Sequence, residues 1–345
     1  MSVYSIGVDL GGTNLRVSAY SSDRGLFDLI HLPTRLRDGR NAVIDDMCTS
    51  ITQLIDRHRL ESLAGIGIGT PGPLELPVGR IHAPPNLPGW DGFELRGAIE
   101  SRLGCEVVLE CDANAAALAE CVAGQGQSLA VDSLCMLTLG TGVGNGIILK
   151  GEVWHGINGM AGEAGHATVW PDGLTCGCGS RGCLEMYASA TAVQRMAEDA
   201  IQMGTSPGLT QMQKDIPDFT TKDVFRVARE GDAGALAIFD KVGEAVGIEV
   251  AALINTLNLP LYVIGGGLAS AWELFADRMF REIHTRSYVY RFTEPAVLNP
   301  VEAETGKTYV VPAKLGSNSG ILGACLLPLT HREQPAEVVS SAGDD

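Results

Sequence analysis

The chain has 345 residues, 45% of them hydrophobic and 19% charged, a mix that suits one large or two ordinary soluble domains with ample core. Its formal net charge of −16 argues against a nucleic-acid partner, because phosphate backbones are held by clustered Lys and Arg. No apolar run approaches the roughly 18 residues of a membrane helix, and MSVYSIGVDLGG has no basic run and reaches Asp9 too early for a signal peptide, so no membrane association and a cytoplasmic location are expected.

In chain order, VYSIGVDLGGTNLRVSAY predicts a strand over 3–10, a glycine turn, and a second strand over 15–20. A helix is expected at about 41–60. LAGIGIGTPGPLEL follows as a strand ending in a Gly/Pro turn, and APPNLPGWDG as a loop. A helix near 93–103 leads to CEVVLECDAN, a strand ending at Asp112. AAALAECVAG reads as a helix capped by Asp112 or Asn114.

At 134–150 the unit strand, glycine turn, strand recurs, about 130 residues after its first occurrence, which suggests two related lobes. After a cysteine-rich segment come a helical stretch over 187–203, a polar loop near 204–221, and a long helix from Asp232 to about Asn258. LYVIGGGLAS is a buried strand ending in three glycines, and TYVVPAKLGSNSGILGACLLPL a last strand and helix. The tail, 331–345, has the composition of a disordered segment.

Three glycine turns each follow an apolar strand: DLGGTN at 9–14, LGTGVGNG at 139–146 and IGGGLA at 264–269. None is followed by the Gly-Lys-Ser/Thr of a P-loop, and the first two feed a strand where a dinucleotide fingerprint would feed a helix. What they can do is present backbone N–H groups to phosphate oxygens. The candidate residues are Gly11, Gly12, Thr13 and Asn14, then Gly140, Thr141 and Gly142, then Gly265, Gly266 and Gly267. Asp9 stands where it could organise a hydrated Mg²⁺ beside those phosphates. Singly, each turn reads as well as a tight hairpin or strand end.

The segment HATVWPDGLTCGCGSRGCLE, 166–185, holds Cys176, Cys178 and Cys183 within eight residues, with His166 ten positions before the first. Composition alone leaves a disulfide knot, a redox device, a metal site or a chance cluster open. The chain has nine cysteines, an odd number mostly in apolar contexts, which favours reduced thiols.

The order DLGGTNLR, GIGTPGP, PPNLPGW, DAN, LGTGVGNG, GEAGH, CGCGSRGCLE, IGGGLA resembles the ROK family of bacterial sugar kinases, its glucokinase branch most of all, over about residues 3–327. The resemblance implies an α/β, two-lobed actin-like and hexokinase-like (ribonuclease H-like) fold with a cleft between the lobes. It implies a small lobe of 1–112 plus about 300–330 and a large lobe of 113–299. ROK repressors carry a helix-turn-helix ahead of DLGGT; eight residues precede Asp9 here, so the repressor branch is not expected.

The implied activity is transfer of the γ-phosphoryl group of ATP, with Mg²⁺, to the 6-hydroxyl of a hexose, glucose first. The alternatives are another sugar (fructose, mannose, allose or an N-acetylhexosamine) and, in a different class, a non-catalytic sugar sensor. By the same resemblance Asp112 is the catalytic base. Gly72, Asn86, Cys111, Asp112, Glu163, His166 and Glu185 contact the sugar, and a homodimer or homotetramer is expected. His166, Cys176, Cys178 and Cys183 match the family's structural zinc site, and one imidazole with three thiolates makes a complete tetrahedral shell that leaves no open position. The family usually has Asn immediately before the catalytic Asp; here that residue is Cys111, a departure that bears on the substrate more than on the reaction.

Overall fold

The computed structural model describes residues 3–330 except 77, 83, 85, 298, 299 and 301; the tail, 331–345, lies outside the described residues. The chain divides into two compact units, Met1–Ala115 with Gly320–Asp345, and Ala116–Ser319.

The first unit is built on a five-stranded sheet of order β3-β2-β1-β4-β8. Its strands are β1 (Tyr4–Leu10), β2 (Asn14–Ser21), β3 (Gly25–Pro33), β4 (Leu63–Thr70) and β8 (Val107–Cys111). The first three run antiparallel, whereas β1, β4 and β8 are parallel. Helices α1 (Arg40–His58) and α2 (Leu95–Leu103) supply the crossovers. Between β4 and α2 lies a small sheet of three two-residue strands, β5 (Leu74–Glu75), β6 (Arg80–Ile81) and β7 (Phe93–Glu94).

The alternation in LAGIGIGT explains how this sheet is covered. Ile66 and Ile68 are wholly buried in the apolar core with Val43, Ile44 and Met47 of α1. Successive strand residues point to opposite faces, so Gly65, Gly67 and Gly69 form a groove on the other side. A Cβ on Gly67 would lie 1.8 Å from the Ala324 carbonyl oxygen, and one on Gly7 would lie 2.5 Å from Cys325 Sγ. Helix α12 (Ser319–Thr330) therefore lies directly on the strands. Helix α3 (Asp112–Ala123) meets it just as closely: a Cβ on Gly323 would lie 1.8 Å from the Ala115 carbonyl oxygen.

The second unit repeats this plan. Its sheet has the order β11-β10-β9-β12-β13, with β9 (Leu134–Leu139), β10 (Val143–Leu149), β11 (Glu152–Val153), β12 (Leu261–Gly265) and β13 (Tyr309–Pro312). Three strands are antiparallel and β9, β12 and β13 parallel, as in the first unit. The repeat legible in the glycine turns thus extends to the whole sheet. Because β13 is hydrogen-bonded to β12, the return to the first unit falls at Gly320, later than the expected residue 300.

Helices fill the rest of this unit: α4 (Gln125–Leu129), α5 (Glu185–Ala188), α6 (Ala190–Gln202), α7 (Pro207–Asp215), α8 (Thr221–Arg229), α9 (Ala233–Leu257), α10 (Trp272–Arg286) and α11 (Tyr290–Thr293). The polar stretch 204–221, expected to be a loop, contains α7. Ser206 caps it, Pro207 opens it, and Leu209 and Met212, three residues apart, are buried. Asp232 caps α9 by accepting from Ala235 N, and Asn258 closes it in the left-handed region at φ 48°. Both ends agree with the sequence expectation.

Candidate active site

In open α/β sheets, ligands bind beyond the carboxyl ends of the parallel strands. In the first unit those ends are Leu10, Thr70 and Cys111, and the expected residues Gly11, Gly72, Cys111 and Asp112 lie at or next to them. Asp112 follows β8 directly and opens α3; a Cβ on Gly69 would lie 3.6 Å from the Asp112 Cα. Its Oδ1 accepts from Ala113 N at 2.7 Å, and the Cys111 thiol donates to the same oxygen at 3.6 Å. A Cβ on Gly72 would lie 3.7 Å from Cys111 Sγ, so Gly72, Cys111 and Asp112 come together. Asn86 is brought to Gly12, where any side chain would lie 2.7 Å from the Asn86 carbonyl oxygen.

Asp9 is not a bare carboxylate. Asp9 and Arg16 face each other across the β1–β2 ladder, and Asp9 Oδ2 accepts from Arg16 Nε at 3.0 Å and from Nη2. Sequence alone does not single out this pair, although counting outward from Gly12–Thr13 places the two residues opposite. Asn114, expected as a helix cap, lies within the first turn of α3, and its side chain donates to Glu110 instead.

The two glycine turns between antiparallel strands are held from behind in the same way. At the first, Thr34 Oγ1 donates to the Gly11 carbonyl at 2.7 Å and Thr34 N to the Thr13 carbonyl at 2.8 Å. At the second, Ala190 N donates to the Gly140 carbonyl at 2.8 Å and Thr191 Oγ1 to the Thr141 carbonyl at 2.8 Å. Each turn also closes on itself, Gly11 N to Asn14 O and Gly140 N to Gly142 O, both at 2.9 Å. With carbonyls fastened inward, amides are the polar groups such a turn offers outward. Gly266 takes φ 83°, and a side chain there would lie 2.5 Å from the Leu139 carbonyl oxygen, so the 265–267 glycines abut the end of β9.

His166, Cys176, Cys178 and Cys183 form one cluster, their ligand atoms all within 4.8 Å of one another. Cys176 Sγ lies 3.6 Å from His166 Nδ1, and Cys178 Sγ lies 3.7 Å from Cys183 Sγ. The second distance is nonbonded, since a disulfide measures about 2.0 Å. Metal–sulfur bonds of about 2.3 Å and a metal–nitrogen bond of about 2.0 Å set tetrahedral edges of about 3.5–3.8 Å, so the donor set fits a tetrahedral ion.

The loop is shaped for this. Cys176 N bonds Ser180 O at 2.8 Å, and Gly182 N bonds Leu174 O at 2.8 Å. Gly179 and Gly182 take φ 91° and 67°, where glycine is the least strained choice. Burial pushes the Cys183 thiol up to about 12 and raises Cys176, whereas a hydrogen bond from the Ser180 backbone lowers Cys178.

The residues flanking the cluster are pinned with it. Glu163 precedes the 3₁₀ turn Ala164–His166. Burial raises its pKa first of all; nearby Glu185 adds to the shift and His166 opposes it. Glu185 opens α5, and its Oε2 accepts from Val143 N at 2.9 Å. A Cβ on Gly165 would lie 2.1 Å from the Val143 carbonyl oxygen, so both ends of the segment that carries the cluster press on the second glycine turn. Among the described residues, no helix is long and apolar enough to cross a membrane.

The description ROK family matches residues 5–331. The chain is 34% identical over 321 residues to a glucokinase of Halalkalibacterium halodurans, which covers 92% of each protein. Its structure is similar to that of a ROK hexokinase from Thermus thermophilus, with TM-score 0.76 and 31% identity over 95% of this chain and 99% of that one. It is equally similar to a ROK family glucokinase from Streptomyces griseus in complex with glucose and AMPPNP, with TM-score 0.76 and 30% identity over 94% and 98% of the two chains. Sheet topology, motif order and likeness over nearly the full length agree: the chain belongs to the ROK family, and its α/β fold is that of ROK hexokinases.

Proposed function

We propose that this protein is an ATP-dependent hexose kinase that phosphorylates the 6-hydroxyl of glucose. The observation that carries the reading is Asp112, a carboxylate at the end of a parallel strand, in a chain with two glycine turns whose carbonyls are tied inward. Likeness to a glucokinase that binds glucose and AMPPNP supports both substrates.

In the reaction, Asp112 accepts the hydroxyl proton as that oxygen bonds to the γ-phosphorus and the bond to the β-bridging oxygen breaks, releasing ADP. A positioned carboxylate contributes about 10² to 10⁴ in rate. The amides of turns 11–14, 140–142 and 265–267 hold the phosphates, where Mg²⁺, once bound, would supply charge neutralisation. Asp9, its Oδ2 already engaged by Arg16, would help to hold the Mg²⁺. Zinc is the ion the one-histidine, three-cysteine shell favours, and its contribution is position. Ligation through Nδ1 leaves His166 Nε2 for a sugar hydroxyl, with Glu163 and Glu185 as further acceptors and Asn86, Gly72 and Cys111 as the remaining sugar contacts.

The test is a coupled assay of ADP release over a panel of hexoses. Glucose is expected to give the highest kcat/KM. A better hexose would replace the substrate, and sugar binding with no ADP release from any hexose would leave a sensor.

A further inference from the structure

Glu185 faces two ways. It stands two residues after a metal ligand, and it accepts the backbone N–H of Val143, the residue where the second glycine turn becomes β10. The contact is tight enough that a Cβ on Gly142 would lie 2.3 Å from Glu185 Oε2. The same short segment then continues the grip. Ser189 Oγ donates to the Glu185 carbonyl at 2.8 Å, Ala190 N takes the Gly140 carbonyl, and Thr191 Oγ1 takes the Thr141 carbonyl. Within seven residues, 185–191, three hydrogen bonds reach three of the four residues 140–143.

A sugar ligand has no need of this arrangement. We infer that Glu185 is a positioning residue for nucleotide binding: through Val143 it sets the conformation of the 140–143 turn, and Ala190 and Thr191 complete the hold. The inference rests on the kinase reading, which places phosphates on that turn, and goes beyond it by giving the metal-anchored segment a role toward the nucleotide as well as the sugar. The physical reason is preorganisation. A turn whose amides must converge on phosphate oxygens is costly to order at each binding event, and groups that fix it beforehand lower that cost. The carboxylate–amide bond is charge-assisted and so the strongest of the three. Oε1 of Glu185 remains for a sugar hydroxyl, so one side chain serves both substrates with different oxygens.

The experiment measures the affinity of AMPPNP with Mg²⁺ by calorimetry, without sugar, on the full-length zinc-loaded protein. Glu185→Ala is expected to weaken AMPPNP binding about tenfold or more, the range for loss of a hydrogen bond to a charged group. Glu185→Gln, which keeps an oxygen acceptor for Val143 N–H, is expected to restore most of that loss while still weakening glucose. Zinc content and melting temperature, measured alongside, report whether the segment stays folded. Thr191→Val is the second variant: its side chain is exposed, so the fold is retained, and a two- to tenfold weakening of AMPPNP is expected from loss of one neutral bond. AMPPNP affinity unchanged in folded Glu185→Ala and in Thr191→Val overturns this inference alone. Failure of the unmodified protein to bind AMPPNP at all overturns the kinase reading and this inference with it.

Discussion

Asn114 Nδ2 donates to Glu110 Oε1 across 2.9 Å, and the Cys111 backbone N–H reaches the same oxygen at 2.8 Å. Glu110 is 4% exposed and Asn114 1%. The last turn of strand and the first turn of helix on either side of Asp112 are thus stitched by a buried amide–carboxylate pair. Asp112 owes its place to that stitch.

Asp112→Asn keeps an oxygen for Ala113 N–H and loses only the ability to take a proton. It is expected to fold normally and to bind glucose within a few-fold of the unmodified protein, with kcat lower by about 10² or more. Steady-state kinetics with calorimetric glucose titration checks this. An active variant would make Asp112 a helix cap and no base.

Cys111 stands where the family resemblance implies an asparagine. A thiol is a weak donor and acceptor, whereas an asparagine both donates and accepts strongly. Cys111→Asn is therefore expected to lower the KM for glucose about two- to tenfold, the worth of one neutral hydrogen bond. Glucose KM for the two proteins decides it: an unchanged value means that position 111 does not read the sugar, and a raised one points to a different hexose.

The purified protein is expected to carry about one zinc per chain, measurable by elemental analysis. Because the Cys183 and Cys176 thiols hold their protons well above neutral pH without metal, loading must release protons. Apparent zinc affinity should then fall as pH falls from 8 to 6, checked by competition with a chelator. Cys178→Ser should lower zinc content and melting temperature together.

Glu249, on α9, is 7% exposed, and burial pushes its carboxyl up to about 7. The unfolded chain releases that proton near pH 4.3, so between these values the folded state binds more protons and loses stability as pH rises. Glu249→Gln has no proton to lose. Its stability advantage is expected to grow from near zero at pH 4.5 to about 3 kcal/mol by pH 8. Urea unfolding of both proteins at the two pH values measures the difference directly.

Local chemistry was the legible part of the sequence. His166, Cys176, Cys178 and Cys183 lie close in sequence, so the cluster was visible as a cluster, while its reading as a zinc site came from the family resemblance; the ends of α9 at Asp232 and Asn258 were legible too. The glycine turns were visible because nothing else permits such close backbone approach. Pairings that depend on tertiary structure were not visible: Thr191 behind the second turn and Glu185 on Val143 each join residues more than forty positions apart. Asn114 on Glu110 is local, but it competes with an equally reasonable capping role that only the folded chain rules out. Helix α10 carries no capping side chain at its start: its buried Phe275, Met279 and Ile283 are spaced for a helix, but it follows three glycines that read as a turn.

The groove of glycines beneath α12 has a consequence in time. The first sheet is complete by residue 111, but the helix that covers its glycine face begins to join that unit only at Gly320. The whole second unit, Ala116–Ser319, is made in between, which a ribosome adding about 5–20 residues/s takes about 10–40 s to synthesise. Throughout that interval Gly65, Gly67 and Gly69 leave bare backbone on a half-covered sheet, so the nascent chain is most exposed to chaperones and to aggregation while its second unit is being synthesised.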